Sequence, residues 1–511
     1  AYLVPALEQN RRVIVSTGTR NLQDQIFNQD LPFLRDRVGI EISACLMKGR
    51  DNYLCRYRFE ELNREPLLEV ASEARWLPVI RSWAARTSTG DRAEIADLPD
   101  RVRLWRDINA RSDTCTGTRC PEYDSCWLTR MKRRAQDCQV IVVNHHLFFA
   151  DLALRTAYGT VLPDYDTVVF DEAHLLEEIA TLYFGVQVSS AQIEDLARDA
   201  EKSAAKAGEA AKGGGGATAL RNAAAEFFLP LRGLLSEEGG RVPFLSPARG
   251  GLDLDVQWKR LDEALSEVAA HAPRIEAETD SVEAIERKAG DLRAATEIVL
   301  GRSDPAFVYG LETRGRGSVV ISAAPIDVSN LLRESLFDPL HASVLTSATL
   351  AVENRFDFFQ TRLGLDDAET LVVESPFDHR KQAVLYLPPR MPEPREREFI
   401  PRVVEEVRAL LELSRGRAFV LFTSYVNMER VRVELERENR WPLLVQGDGS
   451  KIALVDRFKN TTGAVLLGTT SFWHGVDVPG EALSLVVIDK LPYDVPTDPL
   501  VAARIERIRD E

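Results

Sequence analysis

The sequence lacks the segments that would place a protein in or across a membrane. Its 511 residues contain no apolar run that approaches the roughly 20 residues of a membrane helix. Residues 1–7 do not form a secretion signal. A hydrophobic fraction of 45% and a charged fraction of 28% are typical of a globular protein. These features predict a cytoplasmic chain with no membrane partner and about three or four domains, by the usual size of a domain.

Cysteine is scarce, with six residues in the whole chain. A cytoplasmic chain with so few cysteines does not depend on a disulfide framework, which leaves metal binding or redox chemistry as their use. Cys115, Cys120 and Cys126 fall within twelve residues, and Cys55 precedes them. This grouping predicts one site built from four thiols.

An excess of positive charge is also missing. The formal net charge is -15, which by itself argues against a protein that binds nucleic acid. Residues 1–150 nevertheless contain 23 Lys and Arg against 20 Asp and Glu, a net of +3, so the rest of the chain carries -18. An excess of three charges is small enough to arise by chance. A nucleic acid would find its basic contacts mainly in this first part.

One apolar run ends abruptly in two acidic residues. Val168, Val169 and Phe170 form a continuous run, which predicts a strand buried on both faces of a parallel sheet. Asp171 and Glu172 follow directly, at the strand end where such sheets bind ligands. One acid can hold a Mg²⁺ bound to nucleotide phosphates, and the other can polarise the attacking water. Alternatively both acids cap the next helix, and these residues alone do not decide between the two.

A second buried strand ends in hydroxyl side chains, a glycine and an arginine. The strand covers residues 12–15 and the sequence Ser16-Thr17-Gly18-Thr19-Arg20 follows it. A small polar turn of this kind offers N–H groups and hydroxyls to a phosphate of a nucleotide or of a nucleic acid. An ordinary strand-to-helix loop with a Ser/Thr cap explains the same residues equally well.

The alternation of strands and helices is interrupted twice. Residues 48–138 contain a helical stretch with tryptophans, and residues 181–317 are rich in Ala, Glu and Leu at helical spacing. Residues 213–216 are four glycines, which predict a solvated loop. The sheet pattern is predicted to resume at 318–322. Further strands are predicted at 342–350 and, in a second α/β unit, at 383–387, 418–424, 464–469 and 485–488.

Basic and aromatic residues surround the grouped cysteines. Thiolates from two loops suit zinc or an iron-sulfur cluster, and the gaps of four and five residues favour the cluster only slightly. Arg50 and Arg56 flank Cys55, where cations with nearby rings suit the phosphates and bases of a single strand. A solvated helix face is the commoner explanation of a basic run. Cys45 and Cys138 lie in apolar, strand-like contexts that predict buried small side chains.

Taken together, these segments resemble the superfamily 2 DNA helicases of the XPD/DinG type, most closely a bacterial DinG-like branch. The resemblance covers nearly the whole chain. Residues 16–25 are similar to motif Ia, which contacts the DNA backbone, and residues 171–174 to motif II, which carries the Walker B acids. Residues 345–350 resemble motif III, which couples nucleotide state to the grip on DNA, and residues 468–477 resemble motif V.

This resemblance implies an α/β fold with two RecA-like parallel-sheet motor domains, the first interrupted by an iron-sulfur module and a helical arch domain. The implied boundaries are 1–47, 139–180 and 318–352 for motor domain 1, 48–138 for the iron-sulfur module, 181–317 for the arch domain and 353–511 for motor domain 2.

The resemblance also implies roles for individual residues. The catalytic acids, acting with Mg²⁺ on ATP as substrate, are Asp171 and Glu172. The residues of the ATP site and its coupling are His174, Ser347, Thr349, Gly475 and Asp477. The DNA contacts are Thr17, Gly18, Arg20, Arg50 and Arg56. The ligands of a [4Fe-4S] cluster, which the resemblance favours over zinc, are Cys55, Cys115, Cys120 and Cys126.

The implied function is an ATP-dependent helicase that travels 5′ to 3′ on single-stranded or forked DNA in repair or replication, alongside a repair or replication protein. The alternative is a non-hydrolysing, metal-stabilised scaffold that binds single strands. The family's phosphate-binding loop is expected immediately before Ala1 and its motif VI after Glu511. The chain alone is therefore expected to be inactive, since an arginine finger contributes roughly 10³ to 10⁵ in rate to related enzymes. His474 stands where motif V is expected to carry an acid.

Overall fold

The structure is a computed structural model of the chain, and it describes most of the sequence. The described residues are 2–9, 11–64, 73, 75–95, 98–99, 102–111, 115–155, 160–206, 210–235, 240–270, 279–315, 317–473 and 476–510. Within them, none of the helices combines the length and the hydropathy that a membrane crossing requires.

The described strands form three sheets. The first is parallel, in the order β2-β3-β1-β4-β9, the second is parallel, in the order β11-β12-β10-β13, and the third is antiparallel, in the order β5-β8-β7-β6. The strands are β1 Val13–Thr17, β2 Ala44–Leu46, β3 Val140–Asn144, β4 Thr167–Asp171, β5 Val186–Ser189, β6 Arg241–Pro243, β7 Phe307–Arg314, β8 Ser318–Pro325, β9 Ala342–Thr346, β10 Ala418–Leu421, β11 Leu443–Val445, β12 Val465–Gly468 and β13 Leu485–Ile488.

Helices cover the sheets and fill both interruptions. They are α1 Leu3–Glu8, α2 Arg20–Gln25, α3 Leu31–Val38, α4 Arg56–Arg64, α5 Trp76–Ala84, α6 Arg103–Ile108, α7 Trp127–Asp137, α8 His145–Arg155, α9 Leu176–Phe184, α10 Ser190–Lys206, α11 Ala210–Arg232, α12 Asp255–Ala270, α13 Thr279–Gly301, α14 Ser329–Leu332, α15 Asp357–Leu363, α16 His379–Gln382, α17 Phe399–Ser414, α18 Tyr425–Glu438, α19 Lys451–Asn460 and α20 Pro499–Asp510.

The first parallel sheet brings three chain segments to one edge. Strands β1, β3 and β4 are buried along almost their whole length, as continuous apolar runs predict. Ser16 pairs with Phe170 across β1 and β4, and Asp171 pairs with Thr346 across β4 and β9. Because parallel strands end on the same side of a sheet, the segments that follow β1, β4 and β9 lie next to one another. The two parallel sheets confirm the predicted α/β fold class.

The strand predicted at 318–322 lies in a different sheet from the one expected. It is part of β8, which pairs with β5 and β7 in the antiparallel sheet. Val319 and Ile321 pack against the core of the helical insertion, which includes helices α10 to α13. A run covered on both faces has the same apolar pattern in a parallel and an antiparallel sheet, so the prediction that the motor sheet resumes here was wrong.

Two further predictions of local structure were wrong. The segment 383–387 forms no strand, and its side chains are exposed, to 94% for Val384 and 85% for Leu385. An apolar run makes a strand only where a neighbour supplies hydrogen bonds, and within the described residues this run is unpaired. The glycines at 213–216 lie inside α11 and are helical. The packing of this long helix outweighs their low helix propensity.

Helix α20 packs against strands β6 and β7 of the antiparallel sheet and contacts α9. The guanidinium of Arg504 donates to the hydroxyl of Thr181 at 2.7 Å and to the carbonyl of Ile326 at 3.1 Å, and it pairs with Glu177 at 3.1 Å. Thr181 and Glu177 belong to α9, the helix that follows the two acids. Helix α20 is thus held by polar and ionic contacts against the helix that follows Asp171 and Glu172.

Candidate functional site

The acidic loop leaves the sheet with an unusual backbone. Asp171 is the last residue of β4, and Glu172 has φ 59° and ψ 44°, in the left-handed region. A side chain other than glycine is strained there, at a cost of order 1–3 kcal/mol, so the surroundings must enforce this conformation. A short 3-10 turn, Ala173–Leu175, follows and leads into α9. The turn separates Glu172 from the helix, so the interpretation of both acids as simple helix caps does not describe this geometry.

The carboxyl group of Asp171 lies in a partly enclosed, acidic environment. Burial raises its pKa, the Glu172 carboxylate raises it further, and the hydroxyl of Thr17 lowers it. Tyr2 belongs to the same environment. Burial and the nearby charges of Asp171 and Asp30 raise the pKa of its phenol to about 12. A site in which several acidic groups repel one another favours a bound cation, which relieves the repulsion.

A hydrogen bond connects the acidic loop to the segment after β9. Nδ1 of His174 lies 2.8 Å from Oγ of Ser347 and 3.4 Å from Oε2 of Glu172. The main-chain N–H of Thr349 donates to the same Ser347 hydroxyl at 3.4 Å, and the Thr349 side chain is exposed. The structure therefore brings together four of the residues predicted for catalysis and coupling: Glu172, His174, Ser347 and Thr349.

The polar turn after β1 packs on this loop. A Cβ atom added to Gly18 would lie 2.6 Å from Cδ1 of Leu175 and 3.4 Å from Cβ of Glu172, so glycine permits a close approach. Thr17 is fully buried. Its predicted contact with DNA stays a prediction, and in this conformation its hydroxyl faces Asp171 instead. The hydroxyl of Thr19 accepts a hydrogen bond from the N–H of Leu22 and caps α2.

The three predicted DNA-binding arginines differ in their surroundings. Arg20, the first residue of α2, is exposed, whereas Arg50 and Arg56 are half-buried. The guanidinium of Arg56 lies 4.0 Å from the ring centre of Trp127. Arg50 lines a cavity of about 610 Å³ between the first interruption and the helical insertion. Their contacts with DNA stay predictions.

The structure places Cys55 near Cys120 and Cys126, and it places Cys115 and Cys126 near Lys132. Burial raises the pKa of the Cys55 thiol, Arg58 lowers it, and the thiols of Cys126 and Cys120 raise it again. Cys115 and Cys126 both act on the pKa of Lys132, which burial lowers. All four thiols are free of disulfides. The donor set of soft sulfur atoms from two loops suits a metal centre, although within the described residues no three His, Cys, Asp or Glu side chains lie in ready metal-binding positions.

The remaining two cysteines are separate from this group. Cys45 and Cys138 are 3% and 6% exposed and belong to the core of the first sheet. Burial and, to a smaller extent, the neighbouring Cys138 raise the pKa of Cys45 to about 12. A thiol that stays protonated in an apolar core behaves as a small hydrophobic side chain, as predicted.

The segment predicted as motif V is only partly described. His474 and Gly475 lie outside the described residues. Asp477 is exposed and lines a cavity of about 620 Å³ together with Asp24, Lys48 and Asp91. Asp171 and Glu172 are not among the residues that line this cavity. The coupling role of Asp477 stays a prediction.

Sequence reasoning overlooked a buried pair beneath the acidic loop. Oγ of Ser16 lies 2.7 Å from Nδ1 of His145, and both residues are fully buried. Burial lowers the pKa of the His145 ring from its ordinary value of 6.5 to about 3, against the opposing effect of the Asp171 and Glu172 carbonyls. The available signal was that Ser16 lies near the end of the buried strand β1 and that His145 directly follows the buried strand β3. Neighbouring strand ends cannot be paired without knowing the strand order.

The stability of the fold is expected to decrease in mild acid because of His145. The unfolded chain protonates this ring near pH 6.5, while the folded chain does so only near pH 3. Stabilisation by the neutral ring is therefore complete above pH 6.5 and is lost as the pH falls towards 3. We expect a loss of about 1.4 kcal/mol per pH unit in this range. Urea unfolding of the wild type at several pH values measures it.

The variant His145→Gln isolates this contribution, since glutamine keeps a polar side chain but does not titrate. Its free energy of unfolding is expected to depend less on pH than that of the wild type. His341→Gln, at an exposed histidine, is the matched control and should behave like the wild type. Parallel pH curves for the wild type and His145→Gln would contradict the prediction.

Comparison with known proteins identifies relatives over the whole chain. Residues 407–511 match the helicase C-terminal domain family. The chain is 33% identical over 515 residues to the ATP-dependent DNA helicase YoaA of Haemophilus influenzae, an alignment that covers 100% of this chain and 79% of that protein. It is 32% identical over 540 residues to the ATP-dependent helicase DinG of Mycobacterium tuberculosis, which covers 99% of this chain and 78% of that protein.

A solved XPD helicase structure has a similar fold. It matches with a TM-score of 0.56 at 16% identity and covers 99% of this chain and 82% of the other. At this identity the likeness concerns the fold alone.

Proposed function

Since this chain belongs to the XPD/DinG-type family of superfamily 2 helicases, we propose that it acts on DNA through the acidic loop and through residues 48–138. We call residues 48–138, which contain the four grouped cysteines, the cysteine module. The chain is an ATP-dependent DNA helicase of the YoaA/DinG type. Its substrates are ATP and DNA, and Mg²⁺ is the expected metal ion of the nucleotide. The domain boundaries and the roles of individual residues remain our proposals.

We assign the chemistry to the two acids at the end of β4. Asp171 would hold the Mg²⁺ of the nucleotide, since its carboxylate lies among groups whose repulsion a cation relieves. The metal supplies neutralisation of the phosphate charge. Glu172 would orient the attacking water and take up its proton. The left-handed backbone at Glu172 turns its side chain away from the direction of the strand and towards His174.

The observation that carries this proposal is the hydrogen bond between His174 and Ser347. It joins the loop that would contact ATP to the segment after the neighbouring strand β9. A displacement of Glu172 on hydrolysis would therefore shift Ser347 and Thr349, which we assign to the coupling of ATP turnover to the grip on DNA. Packed segments with two discrete arrangements transmit such changes.

For the cysteine module we propose a [4Fe-4S] cluster held by Cys55, Cys115, Cys120 and Cys126. The effects of Cys120 and Cys126 on the pKa of Cys55, and of Cys115 and Cys126 on the pKa of Lys132, support the proximity that a cluster needs. The module would separate the strands of a forked DNA, with Arg20, Arg50 and Arg56 as contacts for the single strand. Travel from 5′ to 3′, a role in repair or replication and a protein partner from those processes belong to the same proposal.

The experiment uses the full-length natural protein and duplexes with a 5′ or a 3′ single-stranded tail. We expect ATP-dependent unwinding of the 5′-tailed duplex. In the variant Ser347→Ala, unwinding per ATP hydrolysed is expected to fall about two- to tenfold, because one neutral hydrogen bond is lost. Strand displacement and phosphate release are measured in the same reactions.

Ser343→Ala, in strand β9 shortly before Ser347, is the matched control and should unwind like the wild type. If Ser347→Ala keeps the wild-type ratio of unwinding to hydrolysis, the coupling assignment is wrong. If the wild type binds single strands but hydrolyses no ATP in their presence, the non-hydrolysing scaffold replaces the present proposal.

A further inference from the structure

A buried lysine joins the cysteine module to the first motor sheet. Nζ of Lys48 lies 2.9 Å from Oδ1 of Asp24 and 2.7 Å from Oδ2 of Asp91, and the lysine side chain is only 2% exposed. Asp24 belongs to α2, which follows β1, whereas Asp91 lies in a turn of the first interruption. One ammonium group thus binds two carboxylates from different parts of the chain.

Uncharged hydrogen bonds reinforce both sides of this contact. On the motor side, Nε2 of Gln23 donates to the carbonyl of Met47 at 3.0 Å, and Gln23 is fully buried. On the module side, the N–H of Lys48 donates to the hydroxyl of Tyr53 at 3.1 Å. Tyr53 is 3% exposed and lies two residues before Cys55. Two hydrogen bonds therefore hold the backbone of Met47 and Lys48, where the chain enters the module.

The other end of α2 contacts the acidic loop. The helix begins at Arg20, directly after the segment in which Gly18 packs against Glu172 and Leu175. A continuous series of contacts therefore runs from the module through Lys48 and α2 to Glu172. Its ends are the two places to which we assign DNA separation and ATP hydrolysis.

We propose that Lys48 is a positioning residue that holds the cysteine module against α2, so that DNA engaged by the module alters the acidic loop and stimulates ATP turnover. The inference rests on the proposed function for its second half, the stimulation. Its first half, the rigid attachment of module to helix, concerns the fold alone.

This attachment depends on the positive charge of Lys48. A buried ion pair contributes little net stability compared with apolar packing, but removing one partner leaves the others buried and unbalanced. Loss of the ammonium would leave Asp24 and Asp91 facing each other, and both carboxylates would move towards water. The module would then separate from α2 without any change in the residues that contact ATP.

The test replaces Lys48 by methionine in the full-length protein. We expect the rate without DNA, the KM for ATP and the iron content to match the wild type within about twofold, while maximal stimulation by single-stranded DNA falls about five- to tenfold. Lys48→Arg, which restores the charge, should recover part of the stimulation. Lys259→Met, at an exposed position of α12, is the matched control.

Amide hydrogen exchange gives a second readout that does not depend on helicase activity. Lys48→Met should exchange faster than the wild type in residues 20–25 and 49–55 and should be unchanged in the second α/β unit. Unchanged exchange in both segments, or full stimulation by DNA, would overturn the inference. A protein that loses iron and unstimulated turnover together would also overturn it, because Lys48 would then only support folding. If the wild type shows no stimulation, the proposed function fails, and the exchange data alone decide whether Lys48 holds the module.

Discussion

Replacing Glu172 by glutamine is expected to lower the DNA-stimulated ATP turnover of the full-length protein by roughly 10² to 10⁴ fold, the usual contribution of a positioned general base. Glutamine keeps the shape of the side chain and its contact with His174 but accepts no proton from the attacking water. The KM for ATP should change little, because we assign binding of the nucleotide's metal to Asp171. Steady-state phosphate release at saturating single-stranded DNA measures both quantities.

Glu178→Gln provides the matched control for this experiment. Glu178 lies on α9, a few residues further along the chain, and its side chain is exposed. The control should hydrolyse ATP at the wild-type rate. If Glu172→Gln retains the wild-type turnover, Glu172 is not the residue that activates water. The catalytic role proposed for the acidic loop would then be wrong.

Replacing Cys120 by serine is expected to abolish the iron-sulfur cluster and with it the unwinding of forked DNA. Even the loss of an outer-shell partner costs metal sites roughly 10- to 100-fold in affinity or activity, so the loss of a ligand should cost at least as much. ATP turnover without DNA should persist, because the first parallel sheet does not include the module. Iron content, visible absorbance and strand displacement are measured on anaerobically purified protein.

Cys138→Ala is the control, since Cys138 is buried in the core of the first sheet and has no proposed part in the cluster. It should keep both iron and unwinding. Wild-type protein that contains zinc and no iron would replace the cluster by a zinc site. Full unwinding by an iron-free Cys120→Ser protein would remove the cluster from the separation of strands.

The strands that form the site could be predicted from the sequence, but their order in the sheet could not. Continuous apolar runs predicted β1 and β4, which are buried on both faces, and a run of similar composition predicted the half-buried edge strand β9. Their order in the sheet depends on the crossovers, which no local pattern encodes. The contact of His174 with Ser347 spans 173 positions and was not predicted, since the family resemblance only assigned both residues to the ATP site and its coupling.

The errors have the same origin. Residues 318–322 were apolar enough for any buried strand, and only pairing with β5 and β7 places them in the antiparallel sheet. Residues 383–387 had strand composition without a partner among the described residues. The buried ion pairs of Lys48 with Asp24 and Asp91 could not be predicted, because charged residues in a sequence are expected at the surface.

The left-handed backbone at Glu172 has a consequence for protein engineering. Since glycine adopts this conformation without strain, a selection of variants for heat tolerance alone is expected to enrich glycine at position 172. We expect such variants to melt at a higher temperature and to lose most of their ATP turnover, because we assign activation of the water to Glu172. Thermal robustness and turnover thus make opposite demands on this single position, and a library designed for both has to hold the glutamate constant.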